Sequence, residues 1–199
     1  MLDLLDWRRS VADLYHAIRA ANGDPSACPN FRLAKDHLFL RHPQSPLDDA
    51  QKAAFTGLRY YDYNPAFRVI AHVNTTVEPT ILDIELGDDG HFRCTRFGQV
   101  SFTVPSGSGI LNLYWINGYG GGVFLPFGDA TNRDTTYGAG RYLYDTIKGA
   151  DLSSTSNEIV LDFNYAYNPS CAYNPRWVCP LAPSENRLPF SIHAGEMLL

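Results

Sequence analysis

Asp129, Thr131 and Asp134 sit in one loop flanked by glycines and offer a set of hard oxygen donors. Donors of this kind can ligate a hard cation, and a carboxylate among them can act as a general base. The competing reading is an Asx-turn in which Asp129 caps local N–H groups. An EF-hand is excluded, because its acid spacing and closing Glu are absent. Tyr137-Gly138-Ala139-Gly140-Arg141 follows directly. Its glycines let backbone N–H groups approach an anion, and Arg141 adds a guanidinium suited to carboxylate or phosphate. No Gly-x-Gly-x-x-Gly or Walker sequence is present and the run leads into a strand, so nucleotide binding has little support. The alternative is a tight turn whose Arg141 is partly buried and pairs with Asp129, Asp162 or Glu185.

Further along, Asp162 and Asn164 alternate with Ile159, Leu161 and Phe163. In a barrel such a polar pair lines the lumen; otherwise it anchors the loop that follows. Glu185-Asn186-Arg187 offers a carboxylate, an amide and a guanidinium, either to a polar ligand or to tie a long loop to the barrel rim. Tyrosines cluster at 60–63 and 165–173, including Tyr173, and present amphipathic rings that fit a small-ligand pocket or seal a barrel end. His72 and His193 fall on predicted strands with nothing to show that they meet, so they read as surface or hydrogen-bonded histidines. Ser106 and Ser108 sit in a turn and not in a nucleophile elbow, so a hydrolase triad is unsupported. Of the four cysteines, Cys28, Cys94, Cys171 and Cys179, none forms a C-x-x-C pair. No metal site and no cofactor is expected from that spacing. Cys171 and Cys179 bracket a Pro-containing stretch that turns back, so they are expected close in space and reduced in a reducing compartment.

These residues need elements to hold them. Trp7, Val11, Leu14, Tyr15 and Ile18 make one apolar stripe on a helix over residues 3–21, stopped by Asn22-Gly23. Phe31, Ala34 and Leu38 predict a second helix over 31–41. Ser45-Pro46-Leu47-Asp48 reads as a third helix start, with Ser45 as N-cap. From residue 58 the period becomes two: Phe67, Val69, Ala71 and Val73; Leu82, Ile84 and Leu86; Val100, Phe102 and Val104; Leu111, Leu113 and Trp115. Gly87-Asp88-Asp89-Gly90 and Pro105-Ser106-Gly107 supply hairpin turns. Further strands fit 123–125, 140–146, 159–164 and 188–193. The fold class is α+β, mainly β: an antiparallel barrel or half-barrel of about eight or nine strands with two or three N-terminal helices. The 199 residues read as one domain, helical over residues 1–57 and β over residues 58–199. Its long irregular loop, 165–187, contains Trp177 and three tyrosines and is expected to be ordered by burying them.

Net charge is −5, which argues against a nucleic-acid or anionic-membrane surface. No apolar run approaches a membrane span, so no membrane partner is expected. Acids interrupt the apolar residues of the first segment and its Arg8-Arg9 pair comes after them, which is not the order of a signal peptide. A cytoplasmic location is therefore expected. Oligomeric state has no signal in the sequence.

Pro126-Phe127-Gly128-Asp129-Ala130-Thr131, followed by Thr136-Tyr137-Gly138-Ala139-Gly140-Arg141-Tyr142-Leu143, resembles one family's first signature. Asp162-Phe163-Asn164-Tyr165-Ala166-Tyr167-Asn168-Pro169, Cys171-Ala172-Tyr173, Cys179-Pro180-Leu181-Ala182-Pro183, Glu185-Asn186-Arg187-Leu188-Pro189 and Ala194-Gly195-Glu196 resemble its second. The family is the bacterial and archaeal domain of unknown function numbered sixteen-eighty-four. Arg32-Lys35-Asp36 and Ser45-Pro46-Leu47 match its opening. The resemblance implies no activity, substrate or cofactor; it implies that the two irregular segments contain the signatures. One departure is Asn132-Arg133, where the family pattern favours glycine, which weakens Arg133 as a site residue.

The expected function is binding of a small polar or aromatic ligand where segments 126–142 and 162–188 converge. Tyr137, Arg141, Asp162, Asn164, Tyr173, Asn186 and Arg187 are the candidate contacts. The alternative is a hydrolase-type enzyme with Asp129 or Glu185 as acid/base and Arg141 holding an anionic group. A structural protein without pocket chemistry is the second alternative.

Overall fold

The computed structural model describes residues 1–199, apart from the side chain of Asp89. Three helices open the chain: α1 (Leu2–Ala21), α2 (Ala27–Arg41) and α3 (Asp49–Ala54). The stripe of α1 faces inward as its spacing predicts, with Tyr15 and Ile18 buried. Asn22 ends the helix in the left-handed conformation, its N–H donating to Arg19 O. Helix α2 begins earlier than the apolar spacing predicts. Its buried face is Cys28, Phe31, Lys35 and Phe39, so a lysine occupies the inner side and Ala34 is exposed. The predicted Ser45 cap is also displaced. Asp48 caps α3 through a reciprocal capping box with Gln51, while buried Ser45 accepts from Leu47 N within the preceding turn.

Seven strands follow: β1 (Arg68–Asn74), β2 (Ile81–Glu85), β3 (His91–Val104), β4 (Gly107–Ile116), β5 (Gly122–Phe127), β6 (Arg141–Asp145) and β7 (Glu158–Asp162). They pair antiparallel in the order β6-β5-β4-β3-β1-β7, with β2 added on β3. The mainly β, α+β class is as expected, and the sheet is a curled half-barrel. Its two edges are drawn together by one antiparallel bridge. Tyr142 on β6 exchanges backbone hydrogen bonds of 2.8 and 3.0 Å with Tyr167, just beyond β7.

Residues 188–193 form no strand of the sheet. The segment instead donates and accepts along the 128–130 loop: Leu188 N to Gly128 O, and Phe190 O from Ala130 N. The alternating carbonyls of Ile192, Ala194 and Glu196 all go to one side chain, Arg141. A period-two pattern records extended backbone; it does not record who receives its hydrogen bonds.

The main core joins helices and sheet, with Tyr15, Ile18 and Phe31 packed among Val100, Phe102, Leu111, Leu113, Leu161 and Phe163. A second cluster, Cys94, Tyr114, Ile116, Phe124 and Tyr142, covers the opposite face at the other end of the β3–β4 hairpin. Trp115, expected to continue the Leu111-Leu113 face inward, is therefore exposed and rests edge-on against Phe97. The long loop is ordered as expected. Tyr165 and Tyr173 are buried, and Trp177 Nε1 donates to Pro46 O at 3.3 Å.

Candidate functional site

Arg141 opens β6 after Gly140, whose backbone at φ +100° passes so close to Phe127 O that a Cβ would lie 2.5 Å from it. That approach turns the guanidinium straight into the protein, where it is wholly buried. Nη2 donates to Asp129 Oδ2 at 2.9 Å and Ile192 O at 3.0 Å; Nη1 donates to Glu196 O at 3.1 Å and to Ala194 O. Asp129 Oδ1 accepts from Thr131 N, Thr131 Oγ1 and Ile192 N. Asp129 thus does both things the sequence allowed it locally: it forms the Asx-turn and the ion pair. Thr131 also bonds Thr136, so the loop is closed by its own side chains. Arg133 stands at φ 71°, a left-handed position that favours glycine.

Asn186 is equally committed. Its Oδ1 accepts from Asn112 N and Nδ2, and its Nδ2 donates to Asn112 O and Pro126 O. It pins the long loop to β4 and β5. Asp162 accepts from Asn164 N and Nδ2, and Asn164 in turn exchanges two bonds of 2.9 Å with the backbone of Asn64. Burial raises the Asp162 carboxyl above its ordinary value, against the bonds from Asn164 and the charge of Arg68, which lower it. Glu185 and Arg187 lie at the exposed rim, where Glu185 accepts from Ser184 Oγ. The arrangement does not bring Glu185 to buried Arg141.

Two clefts border the core. One, with about 730 Å³ of empty space, runs from Gly23 and Arg68 to Leu152–Thr155 and includes Asp162. Its two arginines are paired, Arg19 with Asp151 at 3.5 Å and Arg68 with Asp162 at 3.8 Å, and Asp24 and Glu158 also line it. The other, with about 720 Å³, lies between α1, α2 and the bridged edges of the half-barrel. Its walls carry Trp7, Tyr15, Phe39, Tyr142, Tyr167 and Tyr173.

The aromatic cleft has a polar floor. Lys35 forms an ion pair with buried Glu196 and stands 4.9 Å from the ring centre of Tyr167. Glu196 also accepts from Tyr173 OH at 2.6 Å and Asn168 N at 2.8 Å. Lys148 pairs with Asp145 at 3.2 Å. Two buried atoms on the lining residues have no protein partner: Tyr15 OH and Asn168 Oδ1. Burial, then the negative charges of Glu196 and Asp145, holds the Tyr15 phenol neutral, and burial does the same for Tyr167 and Tyr173. These tyrosines therefore carry their hydroxyl protons at any physiological pH.

Cys171 and Cys179 are close in space, as their spacing predicts, and both are free. Cys171 N donates to Cys179 Sγ at 3.4 Å, and Tyr137 OH donates to Cys171 Sγ at 3.6 Å. The neighbouring Cys179, then the Tyr137 phenol and the charge of Lys148, bring the Cys171 thiol down to about 6 against the opposing effect of burial. The same contact, with burial, raises Cys179. Among the described residues, no group of three or more His, Cys, Asp or Glu side chains is placed to hold a metal ion. No helix there is long and apolar enough to cross a membrane.

The family model for "protein of unknown function (DUF1684)" matches residues 53–197. The chain belongs to this family. No curated protein matches it. Among solved structures, it is similar to the solution NMR structure of an uncharacterized protein of Haloarcula marismortui, with 34% identity and a TM-score of 0.61. That match covers 85% of this chain and 91% of the other. Asp129, Arg141, Asp162, Asn164 and Asn186 all lie within the DUF1684 match and bond mainly to backbone, holding the irregular segments in place. The helix residues that wall the aromatic cleft, including Lys35, precede the matched segment.

Of the expected contacts, Tyr173 alone lines the aromatic cleft, and Asp162 lines the polar one. Tyr137 sits beside the thiol pair. Tyr15, Lys35, Asn168 and Glu196 are the polar residues that sequence reasoning passed over as site candidates. Lys35 carried a signal in retrospect, since it lies four residues from both Phe31 and Phe39 on one helical face.

Proposed function

We propose that this DUF1684 protein binds a small neutral molecule with an aromatic or apolar body and a hydroxyl or amide group, in the cleft between α1, α2 and the β6 edge. The observation that carries this reading is a pair of buried, unpartnered atoms on residues that line it, a phenol donor at Tyr15 and a carbonyl acceptor at Asn168, which a ligand displacing the surface above them would reach. Leaving such a group unpaired costs about 1–3 kcal/mol, which a ligand supplying one acceptor and one donor recovers. The charges nearby are already matched, Lys35 with Glu196 and Lys148 with Asp145, so a charged ligand would break a pair on entry. Aromatic walls with a few convergent polar groups are what small-molecule sites commonly have. Segments 126–142 and 162–188 contribute Tyr142, Tyr167, Asn168, Tyr173 and Cys179, and the helices supply the opposite wall. The acid/base alternative gains no support from Asp129, whose oxygens are engaged by Arg141, Thr131 and Ile192, or from Glu185 at the rim.

The test is titration of 1-naphthol, a neutral bicyclic carrying one hydroxyl, followed by thermal shift and by Trp7 fluorescence in a variant with Trp115 and Trp177 replaced by Phe. Saturable binding is expected, weakened at least about tenfold by Tyr15→Phe and abolished by Leu38→Trp, which adds bulk to the lining. Binding that is unaffected by both substitutions, or no saturable binding to the folded protein, would overturn the reading.

A further inference from the structure

We propose that Cys171 and Cys179 form an oxidisable dithiol that reduces hydroperoxides, with Cys171 as the attacking sulfur and Cys179 as the resolving one. Their contact is built, not incidental. The Cys171 amide holds the Cys179 sulfur at 3.4 Å, and the Tyr137 hydroxyl donates to the Cys171 sulfur from the other segment. Both sulfurs are half-buried and within reach of a small oxidant, whereas Cys28 and Cys94 are sealed in the core. The Tyr137 donor aimed at the Cys171 sulfur favours its thiolate, which is the reactive form. Cys179 also borders the aromatic cleft, but the proposal stands on the contacts of the two sulfurs and not on a ligand in that cleft.

The chemistry balances with a hydroperoxide as the oxidant. The Cys171 thiolate attacks the terminal oxygen of the hydroperoxide; an S–O bond forms, the O–O bond breaks, and the departing alkoxide takes a proton to leave as an alcohol. Cys171 is then a sulfenic acid. The Cys179 sulfur attacks it, an S–S bond forms, the S–O bond breaks, and hydroxide leaves with the Cys179 proton as water. Two thiols supply two electrons, and the hydroperoxide is reduced to one alcohol and one water.

Trypsin cuts after Arg176, between the two cysteines, so a 171–179 disulfide joins two otherwise separate peptides, 149–176 and 177–187. Native protein is treated with hydrogen peroxide, blocked with an alkylating agent, digested and analysed by mass spectrometry. The joined pair is expected to form in wild type while Cys28 and Cys94 stay alkylatable only after unfolding. Cys179→Ser should accumulate a dimedone-trapped sulfenic acid at Cys171, and Cys171→Ser should consume peroxide more than about tenfold more slowly. Tyr137→Phe should slow the first step without preventing the disulfide. Absence of the joined peptides in wild type overturns the proposal regardless of how the variants fold. Equal peroxide consumption by wild type and a folded Cys171→Ser variant overturns the assignment of the attacking sulfur.

Discussion

Replacing Arg141 by alanine tests the centre of the structure most directly. The guanidinium makes four hydrogen bonds, one to Asp129 and three to the carbonyls of Ile192, Ala194 and Glu196, and none of it reaches solvent. Removing it leaves the Asp129 carboxylate buried, with donors from Thr131 and Ile192 but without a counter-charge. Breaking a buried ion pair from one side costs about 3–5 kcal/mol. At about 2–4 °C per kcal/mol for a domain of this size, the midpoint should fall by about 6–20 °C. Circular dichroism during thermal and urea unfolding reads this directly. Arg141→Lys should recover little, because an ammonium is a point charge and cannot span the carboxylate and three carbonyls in one plane. Adding Asp129→Asn to Arg141→Ala should recover part of the loss, since the stranded anion is then gone while the Oδ1 acceptor remains. A midpoint within about 2 °C of wild type for Arg141→Ala would refute the reasoning, and so would a double variant less stable than the single one.

Asp162 gives a pH-dependent prediction. Its carboxyl is raised in the folded chain, mainly by burial, so the folded state holds that proton more tightly than the unfolded state. Its contribution therefore favours folding below the unfolded value and declines as pH rises toward the raised folded value. Urea midpoints of Asp162→Asn minus wild type should rise across that window and then level off; parallel curves would contradict it. At Gly195, φ +78° and an added Cβ at 2.6 Å from Ala166 O and 2.7 Å from Phe163 O combine strain with collision. Gly195→Ala should cost about 3 kcal/mol, against about 1 for Gly87→Ala, which meets nothing within 4 Å, and equal losses in urea unfolding would show that the contact is not felt.

Apolar periodicity was enough to place α1 and the strands of the half-barrel, because burial of one face imposes those periods on any sequence. It failed where a polar residue was buried or where an extended segment had a side chain as its partner. Lys35 looks like solvent-facing charge until Glu196, far along the chain, is known to lie beneath it. Residues 188–193 look like a strand because they are extended, yet their ladder is Arg141 and the 128–130 loop. Arg141 itself was legible as a buried, paired guanidinium, since Gly140 before it and Asp129 nearby constrain it locally. The aromatic cleft was not legible. Its walls come from two helices at one end of the sequence and a loop at the other, and no local pattern encodes that meeting.

The three carbonyls that Arg141 receives belong to residues 192, 194 and 196, and Lys35 also waits for Glu196. During translation, helix α2 and strand β6 leave the ribosome long before these partners exist. Until then a guanidinium and an ammonium sit at the future core with unfilled bonds, and water must serve them. Residues 192–196 thus act as a latch: they dry two charged sites in one stroke. A chain cut before residue 192 should consequently remain open to protease however much of its sheet has already paired.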